Sequence, residues 1–265
     1  MRTLVMGILN VTPDSFADGG RHFKVDDAIN RAKLMIEEGV DIIDIGGEST
    51  KPGADRVSLE EECARVLPVL EQVIPLGTEV SIDTTRSEVA AKAMRLGAKY
   101  VNDVSGGLAD PKMYELIAKN PKVQYVIMHW RAHSKNMQEL ANYEDVVKEV
   151  KEELEERINS AIEAGVNPEQ IIIDPGIGFS KSGEHNWELL KNLDRLSLLG
   201  YPILIGASRK RFLGELTGSA NPDDREPATL AITAAMAKQG IWAVRTHSVK
   251  AHRDVIATIS ALSRR

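Results

Sequence analysis

Residues 202–213 read PILIGASRKRFL and set Ser208 and three consecutive cations, Arg209, Lys210 and Arg211, directly after an apolar run. The run, Ile203, Leu204 and Ile205, is bounded by Pro202 and Gly206 and predicts a buried strand. Gly206, Ala207 and Ser208 then predict a small-residue turn, with Ser208 placed to cap a helix. Cations at the carboxyl end of a buried strand stand where α/β enzymes keep their ligands. They would suit a phosphate, a carboxylate or an electron-rich ring. The same three could lie on a solvated helix start; the case for chemistry is that the pattern recurs.

Polar residues follow nearly every apolar run: Asn10, Asp44 with Glu48, Asp83, Asn102, His129, Asp174, residues 208–210, and Arg245 with His247. Taken singly, Asp83 would serve as a cap for a helix near Ser87, and Asp174 before Pro175 as turn chemistry. Taken together they point to one pocket. Asp83, Asn102 and Asp174 offer acceptors to a flat ring with amidine-like N–H donors. Asn10, Arg245 and His247 suit an anionic leaving group, with Mg²⁺ bridging through oxygen ligands. A nitrogen heterocycle carrying a diphosphate would use both halves. No HExxH, Walker loop, Gly-x-Ser-x-Gly or cysteine pair occurs, and His129 and His247 have no third partner at zinc spacing.

Such scattered residues meet only if the elements converge. Apolar runs at residues 4–9, 41–45, 79–82, 98–101, 123–128, 171–173, 203–205 and 241–244 predict eight strands. Helical patterns lie between them, at 26–38, from Ser58 (with Glu61 at capping-box spacing), 87–96, 111–119, 143–163, 186–193, 227–238 and 249–262. In residues 143–163, Val146, Val147, Val150, Leu154, Ile158 and Ile162 recur at helical spacing, and the Lys and Glu between them form a solvated face. Eight strands alternating with helices predict a (β/α)8 TIM barrel, α/β in class, as one domain over residues 1–265. A doubly wound sheet would carry a glycine fingerprint after its first strand, and none is there. Residues 11–20 and 48–53, rich in Gly, Pro and Ser, predict mobile loops over the site.

The 265 residues match the typical barrel length, and 43% hydrophobic with 27% charged residues supplies a sizeable core. A net charge of −6 argues against a nucleic-acid partner, so anion binding requires local cations. The one cysteine, Cys63, excludes an intrachain disulfide and fits a reducing compartment. The N-terminal apolar run is too short for a signal or membrane segment, and a cytoplasmic location is expected.

The segments MGILNVTPDSFADGG, DIGGESTKPGA, SIDTTR, VNDVSGG, IIIDPGIGF, IGASRKRFLG and VRTHSV, in this order, closely resemble the dihydropteroate synthases. The resemblance implies a transferase of folate biosynthesis, commonly a homodimer and a sulfonamide target. It would join 6-hydroxymethyl-7,8-dihydropterin diphosphate to p-aminobenzoate, using Mg²⁺. Carried over, Asp83, Asn102, Asp174, Lys210 and Arg245 would hold the pterin, with Val104, Met128, Gly206 and Phe179 as walls. Asn10, Arg245 and His247 would take the diphosphate, Asn10 also the metal. Thr50, Lys51, Pro52, Phe179, Ser208 and Lys210 would border the p-aminobenzoate slot. Lys210, Arg245, His247 and Asp83 are the expected catalytic residues.

Four positions depart from the family pattern: Lys51 for the usual Arg, Thr246 and Ser248 for the more usual Val and Asp around His247, and Ser180 where a smaller residue is common. A point charge at Lys51 would stack less well than a planar fork, and Ser180 would narrow the slot. A non-catalytic pterin-binding homologue would fit these departures. A pterin-dependent methyltransferase barrel should lack the Ser-Arg-Lys and Thr-Lys-Pro-Gly elements present here.

Overall fold

The computed structural model describes residues 2–12, 21–49, 53–133 and 137–263, so most of the two predicted loops, at 13–20 and 50–52, lies outside the described residues. Among the described residues eight strands are present: β1 (Leu4–Asn10), β2 (Ile42–Gly46), β3 (Glu79–Asp83), β4 (Tyr100–Asp103), β5 (Gln124–Met128), β6 (Ile171–Asp174), β7 (Leu204–Ile205) and β8 (Ala243–Thr246). All pair in parallel in the order β6-β5-β4-β3-β2-β1-β8-β7. A bridge between Ile173 and Ile203, with the Ile173 N–H donating to the Pro202 carbonyl at 2.9 Å, brings β6 against β7. The sheet is thus nearly closed on itself: a (β/α)8 barrel.

The helices are α1 (Arg21–Glu37), α2 (Leu59–Val73), α3 (Ser87–Leu96), α4 (Lys112–Ala118), α5 (Val146–Glu163), α6 (Gly183–Lys191), α7 (Leu193–Ser197), α8 (Arg211–Thr217), α9 (Glu226–Gln239) and α10 (Val249–Leu262). Local signals explain their starts. The Ser58 hydroxyl accepts from the Glu61 N–H at 3.1 Å, and Asp145 accepts from the N–H groups of Val147 and Lys148. Helix α5 buries Val146, Val147, Val150, Leu154 and Ile158, the stripe its spacing predicts.

Ser208 does not cap a helix. Arg209 takes φ 59, so the chain reverses there and α8 starts only after Lys210. Six strands also run one or two residues further than the apolar runs suggest, ending on Asn10, Gly46, Asp83, Asp103, Asp174 and Thr246. Backbone pairing continues through these polar residues because their side chains leave the ladder sideways, into the barrel or toward the helices.

Two apolar layers result. Between strands and helices lies the larger core, with Ile43, Ile45, Ile82, Val101, Ile127 and Ile173 among its members. Inside the barrel lies a small plug of Met6, Ile42, Tyr100, Val126, Ile172, Leu204 and Ala243. Successive strand residues point to opposite faces, so two positions beyond each plug residue the chain faces inward again. Those positions are Ile8, Asp44, Asn102, Met128, Asp174, Gly206 and Arg245. The plug is the floor, and the polar layer stands on it.

Candidate active site

Arg245 organises this polar layer. Its Nε donates to Asp44 Oδ2 at 2.6 Å and its NH2 group to Asp83 Oδ2 at 2.7 Å. Asn102 Nδ2 donates to the same Asp44 oxygen at 3.0 Å. Burial pushes the Asp83 carboxyl well above the usual carboxylate range, with Arg245 opposing and Asp44 adding to the rise. Burial likewise raises Asp174, against the pull of Lys210 and Arg245. The Asp174 Oδ1 atom accepts the Gly176 N–H at 2.7 Å, which fixes the carboxylate at the strand end. Gly206 lies between Arg245 and Asp174: a Cβ there would meet both at 3.9 Å, so its bareness keeps the floor open. Asp83, Asn102, Asp174 and Arg245, which the sequence spreads over more than 160 positions, share one layer.

Lys210 reaches the layer from the β7 loop. Its ammonium donates to the Ile177 carbonyl and stands 4.6 Å from the centre of the Phe179 ring, a cation–π contact. Burial pushes its pKa down to about 8, Asp174 opposing and Arg245 assisting. Gly178, at φ 81, permits this approach: a Cβ would stand 2.8 Å from Lys210 Cδ. Arg209 and Arg211, which the sequence offered as companions in anion binding, are engaged elsewhere. Arg209 pairs with Asp223 and with Glu226 at 3.1 Å, and donates to Ser248 Oγ at 2.9 Å; Arg211 pairs with Glu215 at 3.2 Å on the helix surface. Of the three cations only Lys210 faces the site.

Ser208 supports His247. Its Oγ accepts the His247 N–H at 3.3 Å and lies 2.9 Å from His247 Nδ1. Two departures from the family pattern join the same support: the Thr246 hydroxyl lies 3.5 Å from Ser208 Oγ and accepts the Ser248 N–H at 3.2 Å. Ser180 is 1% exposed with φ 49, and its Oγ has no partner among the described residues. Its consequence is therefore backbone strain.

A pocket opens beside the layer, bounded by Asp83, Val104, Phe179, Arg86, Trp130 and His133. On its rim Arg86 pairs with Glu48 at 2.8 Å and with buried Glu62, which also accepts from Thr84 Oγ1 at 2.6 Å. Glu48 thus serves the rim and Asp44 the lumen, although both follow the second apolar run. Met128 ends β5 with 3% exposure, and Asn10 ends β1, paired in register with Gly46. Thr50, Lys51 and Pro52 lie outside the described residues. Among the described residues no three His, Cys, Asp or Glu side chains cluster closely enough to hold a metal. The Asn10 amide oxygen and the oxygens of a bound diphosphate remain a suitable donor set for Mg²⁺, which keeps several waters and favours phosphate.

His129 leaves the lumen. It follows Met128, whose side chain points in, so its own points out toward α5, where Nε2 meets Glu153 Oε2 at 3.0 Å. Asp103 does the same beside Asn102, accepting from Tyr125 Oη, Ser105 N and Gly107 N at 2.8 Å each. Sequence reasoning also missed Lys181, which no motif singles out and which is 2% exposed. Asp44, which the sequence sets among the polar residues that follow the apolar runs, proves to be the partner of Arg245.

Comparison with known proteins identifies the family of the chain. The pterin binding enzyme family model matches residues 6–247. A dihydropteroate synthase from Mycobacterium leprae is 49% identical over 97% of this chain and 92% of its own length. The structure of the Xanthomonas albilineans dihydropteroate synthase with 4-aminobenzoic acid superposes with a TM-score of 0.93 at 42% identity, covering 100% of this chain and 94% of that one. The same enzyme in complex with 7,8-dihydropteroate gives 0.90 at 40% identity, covering 100% and 95%. With a barrel, a polar lumen and relatives matched along nearly the whole chain, the protein belongs to the dihydropteroate synthases of the pterin-binding enzyme family.

Proposed function

We propose that the chain condenses 6-hydroxymethyl-7,8-dihydropterin diphosphate with p-aminobenzoate, giving 7,8-dihydropteroate and diphosphate. The observation that carries this reading is the single layer in which Asp83, Asn102 and Asp174 surround the Arg245 side chain, with Lys210 and Phe179 at its edge. Asp174 and Asn102 present acceptors to the amidine-like edge of a pterin, and Asp83 adds a third. Gly206, Val104 and Met128 leave room for a flat ring. Lys210, between the layer and the Phe179 ring, bridges the pterin and the p-aminobenzoate slot beside Ser208.

The reaction replaces the C–O bond at the exocyclic methylene by a C–N bond. The carboxylates of Asp83 and Asp174 favour positive charge spreading into the ring as the C–O bond lengthens. His247, held by Ser208, and Arg245 face the departing diphosphate. Mg²⁺ held by Asn10 and phosphate oxygens would supply further charge neutralisation there. The arylamine is neutral at pH 7, so positioning matters more than a strong base, and its proton passes to diphosphate or solvent. No covalent nucleophile is required.

The lone cysteine supports a cytoplasmic enzyme, and family resemblance supports a homodimer acting on small molecules. Among the described residues no helix is long and apolar enough to cross a membrane. The test is incubation of purified protein with both substrates, with and without Mg²⁺, and chromatography of dihydropteroate. Mg²⁺-dependent product is expected. Bound pterin without product would replace this reading by that of a binding homologue.

A further inference from the structure

The loop after β6 is pinned from two sides by lysines, and only one of them faces the site. From the site side, Lys210 donates to the Ile177 carbonyl and meets the Phe179 ring. From the opposite side, Lys181 donates to the Phe179 carbonyl at 3.0 Å and to His129 Nδ1 at 2.9 Å. His129 and Lys181 are 1% and 2% exposed, so these bonds form out of water, where losing a partner is costly. The chain of contacts continues outward. His129 Nε2 reaches Glu153 on α5 at 3.0 Å, Arg131 Nε donates to Glu153 at 3.0 Å, and the Arg131 guanidinium lies 3.9 Å from the centre of the Tyr143 ring. Tyr143 returns to the loop, its hydroxyl donating to the Ser180 carbonyl at 3.0 Å.

The geometry points to Lys181 as a positioning residue for the arylamine acceptor: with His129 and Glu153 it ties the loop bearing Ile177 and Phe179 to α5, and so sets where Lys210 and the Phe179 ring meet that substrate. The inference rests on the acceptor slot proposed above. The tautomer supports it. Glu153 is ionised, its pKa drawn down to about 2 although burial opposes this, by the hydrogen bonds of His129 and Arg131 and the Arg131 charge, so His129 Nε2 carries the hydrogen and Nδ1 accepts from Lys181. Burial also brings Lys181 down to about 7, with Asp174 and Glu153 opposing and Lys210 and Arg131 assisting. Neither hydrogen bond needs the charge, since an uncharged amine still donates both. Other bonds hold the N-terminal part of the loop, Gly178 N–H to Asn186 Oδ1 at 2.6 Å, Gly176 N–H to Asp174 and Phe179 N–H to the Gly176 carbonyl at 3.0 Å, and Lys181 holds the part that follows.

The test uses the full chain and three variants, Lys181→Met, His129→Leu and His129→Gln, with steady-state kinetics in both substrates and amide hydrogen exchange across residues 176–182. Glutamine can accept from Lys181 with its oxygen and donate to Glu153 with its nitrogen, so it preserves the tie. Lys181→Met and His129→Leu should raise KM for p-aminobenzoate about tenfold and leave KM for the pterin diphosphate within about twofold. Exchange at residues 177–180 should quicken about tenfold, and His129→Gln should restore both readouts to within about threefold of the parent. Unchanged KM values, a parallel rise for both substrates, or failure of His129→Gln to restore would overturn the assignment. Should the parent protein make no dihydropteroate, the proposed function fails by itself. The exchange rates then decide: selective loosening of 177–180 upholds the tie, and unchanged rates overturn it.

Discussion

Asp44 Oδ2 receives the Nε–H of Arg245 at 2.6 Å, a bond made across the barrel between residues 201 positions apart. Asp44 is 0% exposed, its Oδ1 has no partner among the described residues, and Arg245 and Asn102 both depend on Oδ2. The carboxylate therefore orients two groups proposed to meet substrate while meeting none itself. Removing one partner of a buried pair leaves an uncompensated charge.

Asp44→Ala should thus lower the unfolding free energy by about 3 kcal/mol and cut kcat/KM for the pterin about 100-fold. Urea titration and steady-state kinetics check both. A loss below about 1 kcal/mol would show that water or Asp83 takes over the pairing.

Lys210 is held down to about 8, against an ordinary value of 10.5. Folding favours its neutral form, so its burial opposes folding in full below about pH 8 and less as pH rises toward 10.5. Lys210→Met should therefore stabilise the ligand-free protein at pH 7 by about 1 kcal/mol, allowing for the lost bond to Ile177, while removing turnover. In the parent enzyme kcat/KM should fall as pH rises through about 8 and the ammonium is lost. A less stable variant, or a flat profile to pH 9, would contradict this.

His129 is pushed down to about 4, chiefly by burial, with the Lys181 and Arg131 charges assisting and Glu153 opposing. The unfolded chain binds the extra proton between pH 6.5 and 4, so stability should decline through that window on acidification, by about 3 kcal/mol in all. Glu153, drawn down to about 2, adds its own loss only below about pH 4.5. Denaturant midpoints at pH 7 and pH 5 for the parent and His129→Gln give the check, and the variant should show the smaller drop.

Two neighbouring loop positions should respond with opposite signs. Ser180 holds φ 49 with its hydroxyl unpartnered, so Ser180→Gly should stabilise by about 1 kcal/mol. Gly178 holds φ 81 with Lys210 Cδ 2.8 Å from the missing Cβ, so Gly178→Ala should destabilise by about 1–2 kcal/mol and lower kcat/KM about tenfold or more. Thermal unfolding of both, with rates for the second, separates the effects, and equal shifts would refute the strain reading.

Much of this was legible in the chain as written. Eight apolar runs alternating with amphipathic stretches specify a barrel, because parallel strands buried on both faces and helices with one apolar stripe have few other ways to pack. Polar residues two positions beyond a lumen plug residue, as Asn102 follows Tyr100 and Asp174 follows Ile172, lie inside by strand alternation alone. What the linear chain could not decide was the choice between neighbours. Asn102 or Asp103, Met128 or His129, Lys210 or its flanking arginines: each pair looks equivalent until register and φ assign one side chain to the lumen and the other to a helix or a loop. Strand ends were also read short, since polarity alone resembles a loop when the hydrogen-bond ladder is unseen. The ties of Arg245 to Asp44, and of Lys181 to His129 and α5, belong wholly to the tertiary structure. They join distant segments through single hydrogen bonds made in a dry interior, and no local propensity carries such a bond.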